Sequence, residues 1–324
     1  MDVSILVPEN TPMKAIADPQ YLFTALNDFL RMTGKKTLFK VQLVGLKNEM
    51  KINEGLYTIS ISKLLKDVKK TDLLIIPALY GDMKNALASN KEITPWIQEQ
   101  YNKGAAVASL CAGAFLLAST GLIDGKKCAT HWAYQNELKE LFPEVHVVDD
   151  GVIIEEGRIY SSGGANSYWN LLIYLAEKFT DRQTAILASK YFAIDIDRES
   201  QSLFTIFMGK KNHHDNLIKQ AQQYIENNTN KKITIEELSK MVFLGRRSFE
   251  RRFKIATGYS VLEYINRVKI ETAKESLELN VRNINEVMDD LGYRDIKTFR
   301  TIFKKFTGFT PWEYQNKYNK LPSL

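Results

Sequence analysis

The chain is 324 residues long, carries a formal net charge of +6 and is 44% hydrophobic, so it can bury a sizeable core and is long enough for two domains. It contains two cysteines and no apolar run near the roughly 18 residues that cross a bilayer, which excludes a disulfide-rich secreted domain and a membrane-spanning protein. Because nothing at the N-terminus resembles a secretion signal, we expect a cytoplasmic location.

Positive charge is concentrated toward the C-terminal end. Residues 209–324 contain 22 Lys and Arg against 14 Asp and Glu, whereas residues 1–208 contain 22 against 24. A basic excess is expected of a module that contacts nucleic-acid phosphates. The sequence therefore predicts two domains, residues 1–208 and residues 209–324, of which the second contacts nucleic acid.

The first domain alternates strand-like and helix-like segments. An apolar run at residues 3–7 ends at Pro8, and residues 21–31 follow with leucines at helical spacing. Further strands are predicted at 39–46, 73–77 and 105–109, and further helices at 93–101, 173–179 and 185–192. Strands separated by helices predict an α/β fold, a mostly parallel sheet with helices on both faces.

Cys111 lies where the strand at 105–109 is followed almost at once by a helix. This strand-turn-helix arrangement is typical of a nucleophile elbow, and the N-terminus of the helix favours the thiolate form of the cysteine. Twenty residues later, Thr130-His131-Trp132 brings an imidazole that can lie alongside the thiol. The pattern indicates a cysteine and histidine site at one end of the sheet.

Cys111 and His131, with Gly121-Leu-Ile-Asp-Gly125 and Ser161-Ser-Gly-Gly164, resemble the class I glutamine amidotransferase-like domains of the PfpI type over roughly residues 2–192. The resemblance implies a flavodoxin-like sheet for this domain. Enzymes of this fold carry an acidic residue in the loop after the first strand, and that position falls near Lys14 or Ala15 here. The acid partner of the cysteine is therefore expected to be missing, and the domain is not expected to be an enzyme.

Three interpretations of Cys111 are open. The thiol is a small buried hydrophobic group, a contact or redox-sensitive group on the floor of an effector pocket, or a catalytic nucleophile. His131 either caps the following helix or contacts the same pocket, and Cys128 is expected to be structural. His213 and His214 lack further ligands nearby in the sequence, so no metal site is predicted, and no cofactor is expected.

The second domain contains the same helical motif twice. Phe299, Phe303 and Phe306 recur with Ile296 at three- and four-residue spacing, which predicts a helix with one buried stripe. Fifty residues earlier, Arg247, Phe249, Phe253, Lys254, Thr257 and Gly258 match Lys297, Phe299, Phe303, Lys304, Thr307 and Gly308. A helix-sized segment and a tight turn precede each copy. The sequence thus predicts tandem helix-turn-helix units at about 233–258 and 283–308.

The segment from Phe299 to Pro311, in which Phe-Arg-Thr-Ile-Phe-Lys is followed by Thr-Gly-Phe-Thr-Pro, resembles the DNA-binding domain of the AraC family over about residues 216–318. The resemblance implies a sequence-specific transcription regulator, with activation favoured over repression by family tendency alone. It also implies double-stranded DNA as a partner, with RNA polymerase, a small-molecule effector and a second copy of the chain as further partners. The alternative is a PfpI-type hydrolase, amidotransferase or hydratase that uses Cys111 and His131.

Seven residues are predicted to contact DNA. The alignment with the family gives Arg246, Arg247, Glu250 and Arg251 in the first unit and Lys297, Arg300 and Thr301 in the second. Arg pairs with guanine and Glu with cytosine, so base specificity is expected mainly from the first unit. In the alternative interpretation Arg246 and Arg252 bind phosphate or are solvated, and this is the expectation for Arg252.

A helix predicted at 261–279 connects the two units. At 1.5 Å per residue it is about 28 Å long. That length is comparable with the separation of about 34 Å between successive major grooves on one face of DNA. One chain can therefore place both recognition helices on the same duplex.

Overall fold

The computed structural model describes residues 1–149, 151–195, 206, 207, 209–211, 213–279 and 282–318. The chain divides into two compact units, Met1–Gln201 and Ser202–Leu324. The predicted boundary after residue 208 falls on a residue outside the described ones, and it stays a prediction. Phe207 packs in the second unit, where its ring lies 5.1 Å from that of Tyr264.

Most strands of the first unit belong to one sheet. The strands are β1 (Asp2–Leu6), β2 (Lys40–Gly45), β3 (Glu49–Ile52), β4 (Tyr57–Ser60), β5 (Lys63–Leu64), β6 (Leu73–Ile76), β7 (Ala106–Ser109), β8 (Lys127–Cys128), β9 (His146–Val147), β10 (Ile153–Glu156) and β11 (Ile159–Ser162). Among the described residues, seven strands form the main sheet in the order β10-β11-β7-β6-β1-β2-β5. Its neighbouring strands are parallel except for the antiparallel β10 and β11. The pairs β3-β4 and β8-β9 lie outside it.

Helices cover this sheet. They are α1 (Met13–Met32), α2 (Met83–Ser89), α3 (Thr94–Asn102), α4 (Ala114–Ala118), α5 (Gln135–Leu141), α6 (Tyr168–Phe179) and α7 (Arg182–Tyr191), with 3-10 turns at Leu65–Asp67, Cys111–Gly113, Trp132–Tyr134 and Ala165–Ser167. Because β6 and β7 are buried at every residue, both faces of the sheet are covered. The predicted α/β fold is confirmed. One difference is that α1 begins at Met13 rather than at residue 21 and continues through Pro19.

The described part of the second unit is helical. Its helices are α8 (Asn216–Asn227), α9 (Ile235–Met241), α10 (Arg246–Thr257), α11 (Val261–Glu278), α12 (Ile284–Asp290), α13 (Ile296–Thr307) and α14 (Pro311–Tyr318). Gly258 and Gly308 end α10 and α13 in the left-handed conformation, with φ of 82° and 81°. In the residues described, no helix is both long and apolar enough to cross a membrane.

The buried side chains of the second unit form separate clusters, one for each helix-turn-helix. The first cluster surrounds Phe249 and Phe253, and the second surrounds Phe299 and Phe303. Helix α11 contributes to both, since Val268 ends its part of the first cluster and Ile270 begins its part of the second. The residue between these two, Lys269, therefore lies at the junction of the two hydrophobic cores.

Candidate functional sites

The sheet positions Cys111 at the carboxyl end of β7. Leu110 is extended, Cys111 takes a positive φ of 55°, and the 3-10 turn that it begins leads directly into α4. Gly113 makes this sharp turn possible, because a Cβ at that position would lie 2.5 Å from the carbonyl oxygen of Pro77. The predicted strand-turn-helix arrangement is thus present. The Cys111 backbone N–H donates to the Ser162 hydroxyl at 3.2 Å, which ties the turn to the end of β11.

Cys111 is buried, with 7% of the residue exposed. Burial raises the pKa of the Cys111 thiol, although hydrogen bonds from the backbones of Ala165 and Ala112 act in the opposite direction. The local backbone N–H groups act in the expected direction, toward the thiolate, but the loss of hydration outweighs them and the net shift favours the thiol. Burial also raises the pKa of Cys128, to about 11.

His131 caps the turn that follows it. Its Nδ1 accepts a hydrogen bond from the backbone N–H of Ala133 at 3.1 Å, and its ring packs edge-on against Tyr134. A Cβ on Gly164 would lie 1.9 Å from the ring, so the imidazole lies directly against the loop after β11. Burial lowers the pKa of His131, which favours its neutral form. The imidazole therefore has a structural role in this loop, one of its two expected roles.

Lys14, near which the resemblance predicts the missing acid, lies in the first turn of α1. Its ammonium bonds to Asn166 and lies 3.9 Å from the carboxylate of Asp18. Asp18 in turn accepts hydrogen bonds from Tyr168 at 2.6 Å and Trp169 at 2.8 Å. A cavity of about 460 Å³ is lined by Lys14, Asp18, Asn166, Trp169, Asn170 and Phe192, among others. This cavity lies close to Cys111, because its lining residue Asn166 directly follows Ala165, whose backbone bonds to the Cys111 thiol.

Slow alkylation of Cys111 is the expected consequence of its raised pKa and burial. In the native full chain at pH 7.5, iodoacetamide should modify Cys111 more slowly than free cysteine, because little thiolate is present. Peptide mapping by mass spectrometry distinguishes it from Cys128, and unfolding in urea should bring both residues to the rate of free cysteine. A native Cys111 that reacts faster than free cysteine would contradict this assignment and support the catalytic alternative.

The first helix-turn-helix exposes basic side chains of α10 and buries its aromatic side chains. Phe249 and Phe253 of α10 are fully buried, while Arg246, Arg247 and Arg251 project to solvent. Glu250, predicted beside them, is partly buried and lies 3.8 Å from Arg246, which also lies 3.5 Å from Glu236.

Arg252 differs from its exposed neighbour Arg251. Its guanidinium donates two hydrogen bonds of 2.9 Å to the carboxylate of Asp215, the N-cap of α8. This partner holds the pKa of the Asp215 carboxyl below its ordinary value. The expectation that Arg252 binds phosphate or is solvated is therefore wrong. Arg252 links α10 to the N-terminus of α8 through this ion pair.

The second helix-turn-helix also buries its aromatic side chains and exposes its predicted DNA contacts. Phe299 and Phe303 of α13 are buried, and the three predicted DNA contacts, Lys297, Arg300 and Thr301, are exposed. The Thr301 hydroxyl donates to the carbonyl of Lys297 at 2.8 Å. Ile296, predicted on the buried stripe, is 46% exposed because it is the first residue of the helix and lies beyond the core.

The turns of the two units differ by one residue. Four residues separate α9 from α10, whereas five separate α12 from α13. The first helices are therefore related by a shift of 49 residues and the recognition helices by the predicted shift of 50. The left-handed position is occupied by Phe243 (φ 54°) in the first turn and by Gly292 (φ 72°) in the second. Asp295 caps α13 with its side chain, while α10 begins after Gly245 without a side-chain cap.

The two linker histidines were predicted not to bind a metal. His213 bonds through Nε2 to Gln222 at 2.8 Å and accepts the Asp215 N–H at Nδ1. Over the described ranges, no group of three or more His, Cys, Asp and Glu residues is suited to hold a metal ion. His213 thus has a local structural role beside α8.

Known proteins share both parts of this chain. Residues 21–178 match the DJ-1/PfpI family, and residues 238–317 match a helix-turn-helix domain. The chain is 26% identical over 223 residues to the HTH-type transcriptional regulator ArgR of Pseudomonas aeruginosa, with 68% of this chain and 67% of ArgR aligned. It is 32% identical over 127 residues to the HTH-type transcriptional activator Btr of Bacillus subtilis, with 39% of this chain and 24% of Btr aligned.

A solved structure shares the fold as well. The AraC family transcriptional regulator from Pseudomonas putida gives a TM-score of 0.50 at 18% identity, over 59% of this chain and 98% of that one. The chain thus combines a DJ-1/PfpI domain with a helix-turn-helix domain. Together with relatives that are named as transcriptional regulators, this combination identifies a DNA-binding transcription regulator.

Proposed function

We propose that this chain binds promoter DNA through the outer faces of α10 and α13. The observation that carries the proposal is the set of exposed cationic side chains that project from each helix while its phenylalanines are buried in a core. Arg247 and Arg251 project from α10, and Lys297 and Arg300 project from α13. Arginines on such a helix can pair with guanine edges, and lysines can bind phosphates.

Base specificity comes mainly from α10 in this proposal, whereas α13 contributes more to affinity and register. Arg247 and Arg251 are exposed and Glu250 lies between them on the same helix. On α13, the hydroxyl of Thr301 is already bonded to its own helix, which leaves fewer groups for the bases. Single base-pair substitutions across a bound site test this division. A site that is more sensitive where α13 contacts it contradicts the division.

The neighbouring residues Arg251 and Arg252 give a matched test of DNA binding. Arg251→Ala should weaken binding to a duplex selected from a random-sequence library by the full chain, by about 1–3 kcal/mol if Arg251 contacts a base. Arg252→Ala should leave that affinity nearly unchanged, because Arg252 is paired with Asp215. Its cost is about 1 kcal/mol or less in stability. Fluorescence anisotropy at several salt concentrations measures both variants.

The decisive comparison includes Arg247→Ala. If Arg247→Ala and Arg251→Ala both leave the affinity and its salt dependence unchanged, the assigned contacts are wrong. If Arg252→Ala weakens binding as much as Arg251→Ala while both variants remain folded, the distinction between the two arginines fails.

The DJ-1/PfpI domain acts, in this proposal, as the sensing or pairing part of the regulator. The cavity beside the elbow, with the ammonium of Lys14 and the ring of Trp169 in its lining, supports binding of a small-molecule effector. A homodimer, contact with RNA polymerase and activation of transcription extend the same proposal, and a cytoplasmic location follows from it. Sedimentation equilibrium of the full chain tests pairing, since a mass of 37.1 kDa at all concentrations contradicts the dimer.

The alternative PfpI-type enzyme has less support. Its nucleophile, Cys111, is buried with a raised pKa, and Lys14 lies in the region where the related enzymes carry an acid. The similar proteins reported above are named as regulators.

A further inference from the structure

The junction between the two helix-turn-helix units contains a buried ammonium group. Lys269, in the middle of α11, is 7% exposed and lies between the two hydrophobic cores. Its Nζ donates to the carbonyl of Lys231 at 2.9 Å and to the carbonyl of Leu291 at 2.6 Å. Lys231 lies in the loop before α9 of the first helix-turn-helix, and Leu291 is the C-cap of α12 in the second. One side chain therefore bonds to the backbone of the second helix-turn-helix and to that of the loop that leads into the first.

A second cation on the same helix also contacts both units. The guanidinium carbon of Arg267 lies 4.8 Å from the centre of the Tyr259 ring and 5.0 Å from that of Phe306. Tyr259 follows α10, whereas Phe306 belongs to α13. The intrahelical pair with Glu263, at 3.1 Å, orients the guanidinium. An aromatic ring from each of the two chain segments that carry the recognition helices thus lies within cation-π distance of one guanidinium.

The backbones themselves approach closely at this junction. A Cβ on Gly292 would lie 3.5 Å from the carbonyl oxygen of Asn230 and 3.7 Å from the Nζ of Lys269. The turn of the second helix-turn-helix therefore lies against the loop that precedes the first helix-turn-helix. Tyr293, the next residue in that turn, has its ring 5.5 Å from the Lys269 ammonium and its hydroxyl 3.4 Å from Asn266 of α11.

Hydrophobic stability alone does not explain a lysine at this position. Removing an ammonium from water is costly, and burial lowers the pKa of Lys269. An apolar side chain of similar size would avoid that cost, but it would offer no directed bond to the two carbonyls. Hydrogen bonds depend on distance and angle, so the lysine favours one relative placement of the units over others. Being buried, Lys269 has no access to DNA phosphates.

We propose that Lys269 and Arg267 are positioning residues that hold the two recognition helices at one fixed separation, so that the chain binds two DNA elements only at one spacing. This inference rests on the proposed binding of DNA through α10 and α13. If α11 were the only connection, the two helix-turn-helix cores could rotate relative to each other. The contacts of Lys269 and Arg267 join α11 to both sides of the junction and restrict that rotation.

The test uses DNA in which the spacing is varied. The full chain first selects a duplex from a random-sequence library, and nuclease protection delimits its two contacted elements. One base pair is then inserted or removed between these elements. We expect the wild-type chain to lose about tenfold or more in affinity for either change, because one helix loses its base contacts. Lys269→Met should reduce this difference to about threefold or less, since the two units can then adjust.

Tyr264→Phe is the matched control. Tyr264 is on the same helix and fully buried, but its hydroxyl bonds to Gln222 and Glu226, both in α8, which packs in the core of the first helix-turn-helix. The variant loses buried hydrogen bonds without touching the junction, so it should keep the spacing preference of the wild type. Arg267→Gln provides a second junction variant whose side chain is less buried, at 22% exposure, and circular dichroism confirms that each variant is folded.

The outcomes separate this inference from the proposed function. A wild-type chain that selects no duplex contradicts DNA binding, and the positioning role falls with it. A wild-type chain that selects a duplex, with Lys269→Met and Arg267→Gln both keeping the full spacing preference, overturns only the positioning role. Equal loss of the preference in Tyr264→Phe also overturns it, because general destabilisation then explains the effect.

Discussion

Replacement of Phe253 by alanine is expected to destabilise the C-terminal unit, Ser202–Leu324, by about 3–5 kcal/mol and to abolish specific DNA binding. Phe253 is fully buried, and its ring packs edge-on against Phe249 at 5.6 Å and Tyr264 at 5.3 Å. Truncation leaves a cavity in the core that supports the exposed arginines of α10. Urea unfolding of the full chain, followed by circular dichroism, measures the loss.

A control on the same helix separates core packing from helix propensity. Ile255 is 76% exposed, so Ile255→Ala should change the free energy of unfolding by no more than about 0.5 kcal/mol. If Phe253→Ala costs no more than Ile255→Ala, the first helix-turn-helix is not organised around the buried face of α10.

Replacement of Gly113 by alanine should have the largest effect in the DJ-1/PfpI domain. A Cβ there would lie 2.5 Å from the carbonyl oxygen of Pro77 and 2.7 Å from that of Ile76, and neither backbone atom can move without disturbing the end of β6. We expect a loss of about 3 kcal/mol in the stability of the first unit from this overpacking. Differential scanning calorimetry of the full chain measures it as a lower melting temperature for that unit.

Gly245→Ala is the corresponding glycine control. Gly245 has an ordinary φ of −64°, and a Cβ there would meet nothing within 4 Å. Its cost should be about 1 kcal/mol or less, from the poorer helix N-cap. A melting temperature for Gly113→Ala equal to that of the wild type would mean that the elbow tolerates a side chain, contrary to its geometry.

The sheet and the recognition helices were predictable because their signals are local. Apolar runs identified β1, β6 and β7, and the recurring phenylalanines identified α10 and α13. The start of α1 was missed because Pro19 in the helix interior is unusual, and its tertiary contacts outweigh that local preference. The edge strand β10 and its neighbour β11 have weaker local patterns, and their pairing with each other is visible only once the sheet is assembled.

The site residues were predictable by position but not by state. The sequence located Cys111 at a turn, yet the sign of its pKa shift depends on how deeply the fold buries it. It assigned Arg252 to phosphate or solvent because its partner, Asp215, is 37 residues away in the chain. Lys269 gave no signal at all, since a lone lysine in an amphipathic helix normally faces water. Only the presence of two adjacent cores gives it a role.

The unequal turns bear on any attempt to change the DNA preference of this regulator. If the whole first helix-turn-helix were copied into the place of the second, the turn before α13 would be one residue shorter and α13 would lose its Asp295 cap. It would also replace Gly292, whose backbone lies against the loop at Asn230, by a phenylalanine. Exchanging only the outward residues of α10 and α13 at their constant offset of 50 avoids all three disturbances. The two copies are therefore interchangeable as surfaces, but not as modules.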